Sequence, residues 1–205
     1  MTHLKGPAKF MSTQPPTPVN GVTGFVLAGG KSTRLGRDKA LLEWQQRTML
    51  EHMVNLLSSV TTNVQIVGRD LLPDVFPGRG PLSGILTALQ ISRTDINLAV
   101  AVDLPLLTKD FLQYLRFCIE NSRSLLVACK IESYFPLCLG LRRTLVNQLE
   151  QRVVGGELSV QAFIESACPR LILEPELRHA GFDCSIFRNI NTEEDYRAAL
   201  ETLNR

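Results

Sequence analysis

The chain has 205 residues, of which 44% are hydrophobic, and a formal net charge of +2 at pH 7. This length fits one globular domain with a sizeable core, and the small net charge argues against a nucleic acid or an acidic membrane as partner. The sequence lacks both an apolar run of the ~18 residues that a membrane span requires and an apolar signal segment, so we expect a soluble, cytoplasmic protein.

The five cysteines lie at wide, irregular spacing without a Cys-x-x-Cys pair. This pattern indicates neither a zinc knuckle nor a disulfide framework. The three histidines do not pair with the cysteines at metal-ligand spacing. We therefore expect reduced cysteines that pack in the interior.

The beginning of the chain divides into a tail and a strand. Residues 1–20 hold four prolines among small polar residues and show no apolar periodicity, which predicts a flexible tail. Residues 21–205 are expected to form a single domain. Residues 21–28 are apolar enough for a strand that is covered on both faces of a sheet.

Two adjacent glycines, Gly29 and Gly30, and a run of cations follow this strand. Residues 31–39 carry four cations against one acid. Backbone N–H groups in a Gly-rich turn, together with Arg and Lys side chains, suit a polyphosphate, and ligands bind at the carboxyl ends of strands in open α/β sheets. We predict a nucleotide-triphosphate loop; a glycine turn with a solvated basic rim is the alternative.

Two better-known phosphate loops do not fit this spacing. Gly30 and the next two residues resemble the end of a Walker A motif, but the glycine required five residues earlier is replaced by Phe25. A dinucleotide fingerprint needs glycines at spacings that neither Gly29 nor Gly30 can begin. Both interpretations are therefore excluded.

The next segment predicts a short extended piece, a helix and a strand. Residues 41–44 form the extended piece, and Thr48 with Glu51 predicts a capping box at the start of the helix. Met49, Met53 and neighbouring apolar residues recur at helical spacing, which is typical of a core-facing side. Residues 63–67 predict the second strand.

Residues 69–80 contain three breakers and predict a loop that includes Asp74. Gly80 and Pro81 then open a helix, because proline is favoured in the first turn. Gly84 inside this helix indicates a close neighbour, which is either a strand or the nucleotide.

Asp103 follows a buried strand predicted at residues 98–102. A carboxylate in this place must be hydrated, paired or metal-bound, and a turn-forming Asp next to proline is the alternative. Because parallel strand ends meet at one sheet edge, Asp103 and the Gly29–Gly30 turn should face one ligand. We predict Mg²⁺ at Asp103, since this ion takes carboxylates together with substrate phosphates.

The remaining chain predicts further elements of an α/β sheet. They are a helix from Thr108 to about residue 122, a strand at 125–129, a returning segment at 134–139, helices at about 142–152 and from Ser159, a strand at 171–173, and a last helix capped by Thr192 and Asp195. The aromatic pair Tyr134 and Phe135 either packs in the core or touches a ring-bearing substrate.

Four stretches in this order resemble the molybdenum cofactor guanylyltransferases, the MobA-like nucleotidyltransferases. They are residues 27–39 with Leu27, Ala28, Gly29 and Gly30, residues 80–85 (Gly-Pro-Leu-Ser-Gly-Ile), residues 102–105 (Val-Asp-Leu-Pro), and residues 189–195 (Asn-Ile-Asn-Thr-Glu-Glu-Asp). The resemblance extends from about residue 21 to the C-terminus. It implies a three-layer Rossmann-like nucleotidyltransferase fold with a mostly parallel central sheet flanked by helices.

The resemblance also assigns site residues. It implies catalytic roles for Arg34, Lys39 and Asp103 and a magnesium site at Asp103, Asn189 and Asn191. It implies that the nucleotide is bound by Leu27, Ala28, Gly29, Gly30, Lys39, Asp74, Gly80, Pro81 and Asp103. Val67 departs from the family, because several relatives have an asparagine at that position for the guanine nucleotide.

The implied reaction transfers GMP from GTP to molybdopterin and releases pyrophosphate, with molybdoenzymes or their chaperones as further partners. The Gly29–Gly30 pair favours GTP over the substrate of the related cytidylyltransferases, which carry Ala-Gly. Three alternatives remain open: a cytidylyltransferase, a sugar-1-phosphate nucleotidyltransferase, and a GTP-binding protein without turnover that assists cofactor insertion.

Overall fold

A central sheet organises the computed structural model, which describes residues 19–29, 36–68 and 72–203. In these residues the strands are β1 (Val19–Leu27), β2 (Glu43–Trp44), β3 (Arg47–Thr48), β4 (Asn63–Val67), β5 (Thr94–Ala101), β6 (Leu126–Lys130), β7 (Cys138–Arg142) and β8 (Arg170–Leu173). Six of them form the central sheet in the order β4-β1-β5-β7-β6-β8, and β2 and β3 form a separate hairpin.

The central sheet is mostly parallel, as predicted. β1 pairs in parallel with both β4 and β5, and β6 pairs in parallel with β8. Only β7 in this sheet runs in the opposite direction, antiparallel to β5 and β6. The carboxyl ends of the other five strands therefore lie at one edge.

Helices cover both faces of the sheet. They are α1 (Met49–Ser58), α2 (Pro81–Ile91), α3 (Lys109–Glu120), α4 (Val146–Val154), α5 (Val160–Ser166), α6 (Glu174–His179) and α7 (Glu193–Leu203). Val26 of β1 packs in the core that contains residues of α1 and α3, whereas Phe25 packs in the core formed with α2, α4 and α5. This alternation follows from the two-residue period of a strand and confirms the predicted three-layer architecture.

Both predicted helix caps are present. The amide of Glu51 donates to Thr48 Oγ1 at 3.1 Å, and the Thr48 amide donates back to the Glu51 carboxylate at 2.7 Å. At the last helix, the Asp195 amide donates to Thr192 Oγ1 at 3.1 Å, and the Thr192 amide donates to Asp195 Oδ2 at 2.9 Å. These reciprocal bonds satisfy N–H groups that a helix start leaves without intrahelical partners.

Several element boundaries differ from the prediction. β1 begins at Val19, whose backbone pairs with Thr94, so two residues of the predicted tail belong to the sheet and the other residues of that tail lie outside the described part. Arg142 ends β7, because its amide donates to Leu125 O at 2.8 Å, and α4 starts only at Val146.

The sequence analysis missed α6, whose first turn contains Pro175. Among the described residues, no helix combines the length and the apolar character needed to cross a membrane.

Candidate active site

The ends of three neighbouring strands form the candidate site. β4, β1 and β5 are adjacent and parallel, so Gly68, Gly29 and Asp103 follow them at one edge. The Ala28 amide donates to Val67 O at 2.9 Å, and the Val102 amide donates to Leu27 O at 3.1 Å, so the pairing continues to this edge. Gly29 and Asp103 thus follow neighbouring strands at one edge, whereas Gly30 and Arg34 lie outside the described residues.

Lys39 joins two of the predicted site residues. Its ammonium donates to Asp103 Oδ2 at 3.2 Å and to Asn191 Oδ1 at 2.6 Å. The side chains of Lys39 and Asp103 are only 16% and 21% exposed, so their attraction is less screened than that of a surface pair. Residues from three distant parts of the sequence thus form one polar centre.

Local hydrogen bonds place the members of this centre. Asp38 caps the 3-10 turn Lys39–Leu41 by accepting from the Ala40 amide at 3.0 Å. The Ile190 amide donates to Asp103 O at 2.9 Å, and the Asn191 amide donates to Asp195 Oδ2 at 2.9 Å. Burial opposes ionisation of Asp195, but its hydrogen bonds with Asn191 and Thr192 lower its pKa, so Asp195 fixes this turn as a carboxylate.

Asp74 lies on the other side of the glycine turn. A Cβ placed on Gly29 would lie 3.5 Å from Asp74 Oδ2, and one placed on Gly84 would lie 3.4 Å from Oδ1. Asp74 Oδ1 is buried without a hydrogen-bond partner in the described part of the chain, and burial raises the pKa of this carboxyl. A buried acceptor of this kind is costly unless a donor reaches it, so Asp74 is suited to receive an N–H or O–H group of a ligand.

The close neighbours of Gly84 include the strand β1, which is one of the two alternatives left by the sequence. A Cβ at Gly84 would lie 3.6 Å from the Leu27 side chain of β1, in addition to its approach to Asp74. These are ordinary van der Waals distances, so Gly84 packs against both neighbours without a clash.

The sequence analysis missed the role of Gly68. Its φ is +88°, and a Cβ on it would lie 2.5 Å from the Cα and N atoms of Gly29. The two turns therefore touch backbone to backbone. A glycine directly after a strand was the available signal, but its contact depends on the pairing of β4 with β1.

Two hydroxyls of α2 hold the loop that carries Asp74. The Val75 amide donates to Thr87 Oγ1 at 3.0 Å, and the Phe76 amide donates to Ser83 Oγ at 3.2 Å. Ser83 Oγ donates back to Phe76 O at 2.9 Å. Ser83 belongs to the Gly-Pro-Leu-Ser-Gly-Ile stretch, whereas no sequence motif distinguished Thr87 from other helical residues.

The remaining predicted residues lie around this centre with different degrees of exposure. Gly80 and Pro81 start α2 at the end of the Asp74 loop, and both are exposed. Asn189 is also exposed, next to the buried Ile190. Val67 is 1% exposed and packs in the apolar core, where it offers no side-chain hydrogen bond to a base.

The donor atoms of the Lys39 centre fit a magnesium ion. The oxygen atoms of Asp103 and Asn191 already bind one cation, the Lys39 ammonium, and Mg²⁺ prefers such oxygen ligands. The described residues contain no group of three or more His, Cys, Asp or Glu placed to hold a metal. Such an ion would therefore take water or substrate phosphate oxygens for the rest of its coordination.

Comparisons with known proteins agree with this geometry. The family model of the MobA-like NTP transferase domain matches residues 24–170. A molybdenum cofactor guanylyltransferase of Desulfosudis oleivorans is 30% identical to this chain, with 88% of this chain and 95% of the relative covered.

Solved structures share the fold. Molybdopterin-guanine dinucleotide biosynthesis protein A from Archaeoglobus fulgidus has a TM-score of 0.70 at 21% identity, covering 89% of this chain and 98% of its own. A Mycobacterium tuberculosis protein in complex with manganese has a TM-score of 0.62 at 18% identity, covering 91% and 99% of the two chains. At these identities the likeness establishes the common architecture.

Proposed function

Because this chain belongs to the MobA-like NTP transferase family, we propose that it transfers GMP from GTP to molybdopterin, the organic part of the molybdenum cofactor. The products are the guanine dinucleotide form of the cofactor and pyrophosphate. The single observation that carries this proposal is the centre of Lys39, Asp103 and Asn191 beside the Gly29 turn. A cation and side-chain oxygens thus lie together at the carboxyl ends of parallel strands, which is where ligands bind in open α/β sheets.

The reaction is a displacement at the α-phosphorus of GTP. An oxygen of the acceptor's terminal phosphate forms the new bond, and the bond from the α-phosphorus to the oxygen that bridges to the β-phosphate breaks. The attacking group is already an anion, so the enzyme needs no strong general base. Its task is to hold two anions in line and to neutralise their charge.

Lys39 supplies positive charge to this displacement, and Arg34 is proposed to do the same. The half-buried position of Lys39 strengthens its attraction to phosphate oxygens, because water screens it incompletely. Asp103 and Asn191 orient its ammonium from two sides. When GTP binds, the Lys39 ammonium can exchange a hydrogen bond to a protein oxygen for a hydrogen bond to a phosphate oxygen.

Mg²⁺ is proposed as the cofactor, with Asp103, Asn189 and Asn191 as its protein ligands. When bound, it supplies charge neutralisation and orientation to the phosphate oxygens. Asp103 carries the negative charge of this ligand set, so it contributes most to holding the ion.

The nucleotide is proposed to lie across the turns that follow β1 and β4. Asp74 accepts a hydrogen bond from the guanine nucleotide through its buried oxygen, and Gly29 allows the backbone to approach the ligand. Leu27, Ala28, Gly30, Gly80 and Pro81 complete the nucleotide site. The Ala28 amide is bonded to Val67 O, so Ala28 contributes through its carbonyl or side chain.

Titration calorimetry and pyrophosphate release test this function together. We expect GTP to bind more tightly than CTP or ATP, more tightly with Mg²⁺ than without it, and to release pyrophosphate when molybdopterin is added. Release with CTP instead would identify a cytidylyltransferase, and release only with a sugar 1-phosphate would identify that rival reaction. GTP binding without release would favour the carrier that assists cofactor insertion. The proposed delivery of product to molybdoenzymes or their chaperones is tested separately, by pull-down with such a partner.

A further inference from the structure

A second charged groove lies at the same sheet edge as the candidate active site. It has a volume of about 430 Å³ and adjoins the carboxyl ends of β6 and β8. Its lining consists of Lys130, Glu132, Leu173, Glu174, Pro175 and Arg178. Since β6 and β8 run in the same direction as β1 and β5, this groove and Asp103 open on one edge of the protein.

The segment before β7 connects the groove with Asp103. Leu137 O accepts from the Ala101 amide at 2.8 Å, two residues before Asp103. Because β7 runs antiparallel to β5, the residues just before β7 lie at the edge where β5 ends. Phe135, two residues before Leu137, therefore lies at this edge. The ammonium of Lys130 lies 5.8 Å from the centre of the Phe135 ring and also lines the groove.

A short turn holds Phe135 in place. Ile131 and Tyr134 exchange two backbone hydrogen bonds of 3.0 and 2.9 Å, and Glu132 between them has a φ of +51°. The Glu132 amide also donates to Glu174 Oε1 at 2.8 Å. A residue other than glycine adopts positive φ only when its surroundings impose it. The backbone of this turn is therefore fixed, and it holds Phe135 in a defined position.

The groove has two cations, Lys130 and Arg178, and two acids, Glu132 and Glu174. The two cations have different partners. Arg178 pairs with the Glu174 carboxylate at 3.2 Å, whereas the ammonium of Lys130 lies over an aromatic ring. A cation–ring contact is weaker than a charged hydrogen bond with an anion. Lys130 therefore gains by turning toward an anionic ligand, which also uncovers the face of Phe135.

We propose that Lys130 and Phe135 form the binding subsite for the ring-bearing end of the acceptor. This inference rests on the proposed function, whose acceptor carries a phosphate arm and a fused pterin ring system, with the anionic metal-binding group on the ring that bears the phosphate arm. Phe135 stacks on the ring system, and Lys130 binds the anionic group. Neighbouring strands lie about 4.8 Å apart, so β6 lies roughly 10 Å from β5, a span that such an acceptor bridges while its phosphate reaches the Asp103 centre.

Steady-state kinetics with GTP and molybdopterin test this subsite through Lys130→Met and Phe135→Leu. We expect each variant to raise KM for molybdopterin about tenfold, as the loss of a charged contact or a stacked ring does, while KM for GTP stays within about twofold. Arg123→Met and Phe117→Leu are matched controls that should leave both KM values unchanged. Phe117 is exposed in the last turn of α3, and Arg123 is exposed in the loop that follows this helix. Thermal unfolding of each variant measures its folding.

The possible outcomes test the Lys130–Phe135 subsite separately from the transfer reaction. An unchanged KM for molybdopterin in both variants overturns the subsite while leaving guanylyl transfer intact. Equal increases in the two KM values also overturn it, since the residues would then serve the nucleotide. Absence of pyrophosphate release by the unaltered protein, with GTP and molybdopterin both present, overturns the proposed function and the subsite together. If Phe135→Leu fails to fold, Lys130→Met alone decides, because a lysine at the rim of a groove is replaceable without loss of the core.

Discussion

Lys39 and Asp103 are 64 residues apart in the sequence, yet the Lys39 ammonium lies 3.2 Å from Asp103 Oδ2. The pairing of β1 with β5 brings their two segments together, and the turn at Asn191 completes the contact. The basic segment after β1 and the acid after β5 thus belong to one centre. Five predictions follow from the contacts of this centre and of the turns around it.

Replacing Asp103 with asparagine should abolish most turnover without unfolding the protein. The variant retains an oxygen but loses the negative charge, so we expect kcat for pyrophosphate release to fall at least ~100-fold, in the range of lost electrostatic stabilisation. The Lys39 ammonium keeps its hydrogen bond to Asn191 Oδ1, so the loss in the free energy of unfolding should stay within about 2 kcal/mol. A well-folded variant with unaltered, metal-dependent turnover would exclude the proposed role.

Lys39→Met should weaken GTP binding about tenfold, because the variant lacks the ammonium that is proposed to bind the phosphates. Titration calorimetry at low ionic strength gives the dissociation constant. Arg123→Met serves as the control, since it removes an exposed cation at the opposite end of the sheet. Equal affinities of Lys39→Met and the unaltered protein would show that the ammonium binds only protein oxygens.

At neutral pH, Asp74→Asn should weaken the binding of GTP but increase the stability of the fold. Burial raises the pKa of Asp74 in the folded state, so the folded protein retains a proton that the unfolded chain loses above its ordinary carboxyl pKa. Stability therefore falls as pH rises from that value through the raised pKa, and an amide removes this loss. We expect a higher Tm for Asp74→Asn at pH 7.5 but no advantage at pH 3.5, together with GTP binding weakened about tenfold.

Two observations would contradict this interpretation of Asp74. One is a Tm difference between Asp74→Asn and the unaltered protein that is independent of pH. The other is unaltered affinity for GTP, which would place the nucleotide elsewhere.

Gly68→Ala should destabilise the fold by about 3 kcal/mol, because the new Cβ would meet the backbone of Gly29 at 2.5 Å and the φ is +88°. For a protein of this size the Tm falls roughly 2–4 °C per kcal/mol. Gly78→Ala is a matched control, with a φ of +79° and open space around the new Cβ. It isolates the backbone strain of about 1–2 kcal/mol, so equal losses in both variants would refute the close contact.

Thr87→Val should raise KM for GTP roughly fivefold while kcat changes little. The variant keeps the shape of the side chain but removes the oxygen that accepts from the Val75 amide next to Asp74, a loss of about 1 kcal/mol. Thr202→Val on α7 is the control, since Thr202 Oγ1 donates to Ala198 O one turn earlier, as Thr87 does to Ser83 O. An unchanged KM would indicate that the Thr87 hydroxyl only stabilises the helix.

Elements with local signals were predictable from the amino-acid sequence alone. A continuous apolar strand before Gly29, the capping box of Thr48 and the proline at the start of α2 were recognisable because each depends on the chemistry of a few neighbouring residues. The order of motifs also indicated the family and the parallel edge, since successive parallel strands present the same end. The place of Arg142 was not recognised, because its amide bonds with Leu125 O of another segment. The helix α6 was missed because it has only six residues and buries one of them, Leu177, so it shows no apolar periodicity.

Which groups meet across that edge depends on how the chain folds. The tertiary structure placed Asn191 against Lys39, Gly68 against Gly29, and Lys130 over Phe135, and it left one oxygen of Asp74 buried for a ligand. The contacts of Asn191 with Lys39 and of Gly68 with Gly29 could not be predicted locally, because each joins segments that are far apart in the chain. Distances of a few ångströms between such residues determine the chemistry, and the folded sheet fixes those distances.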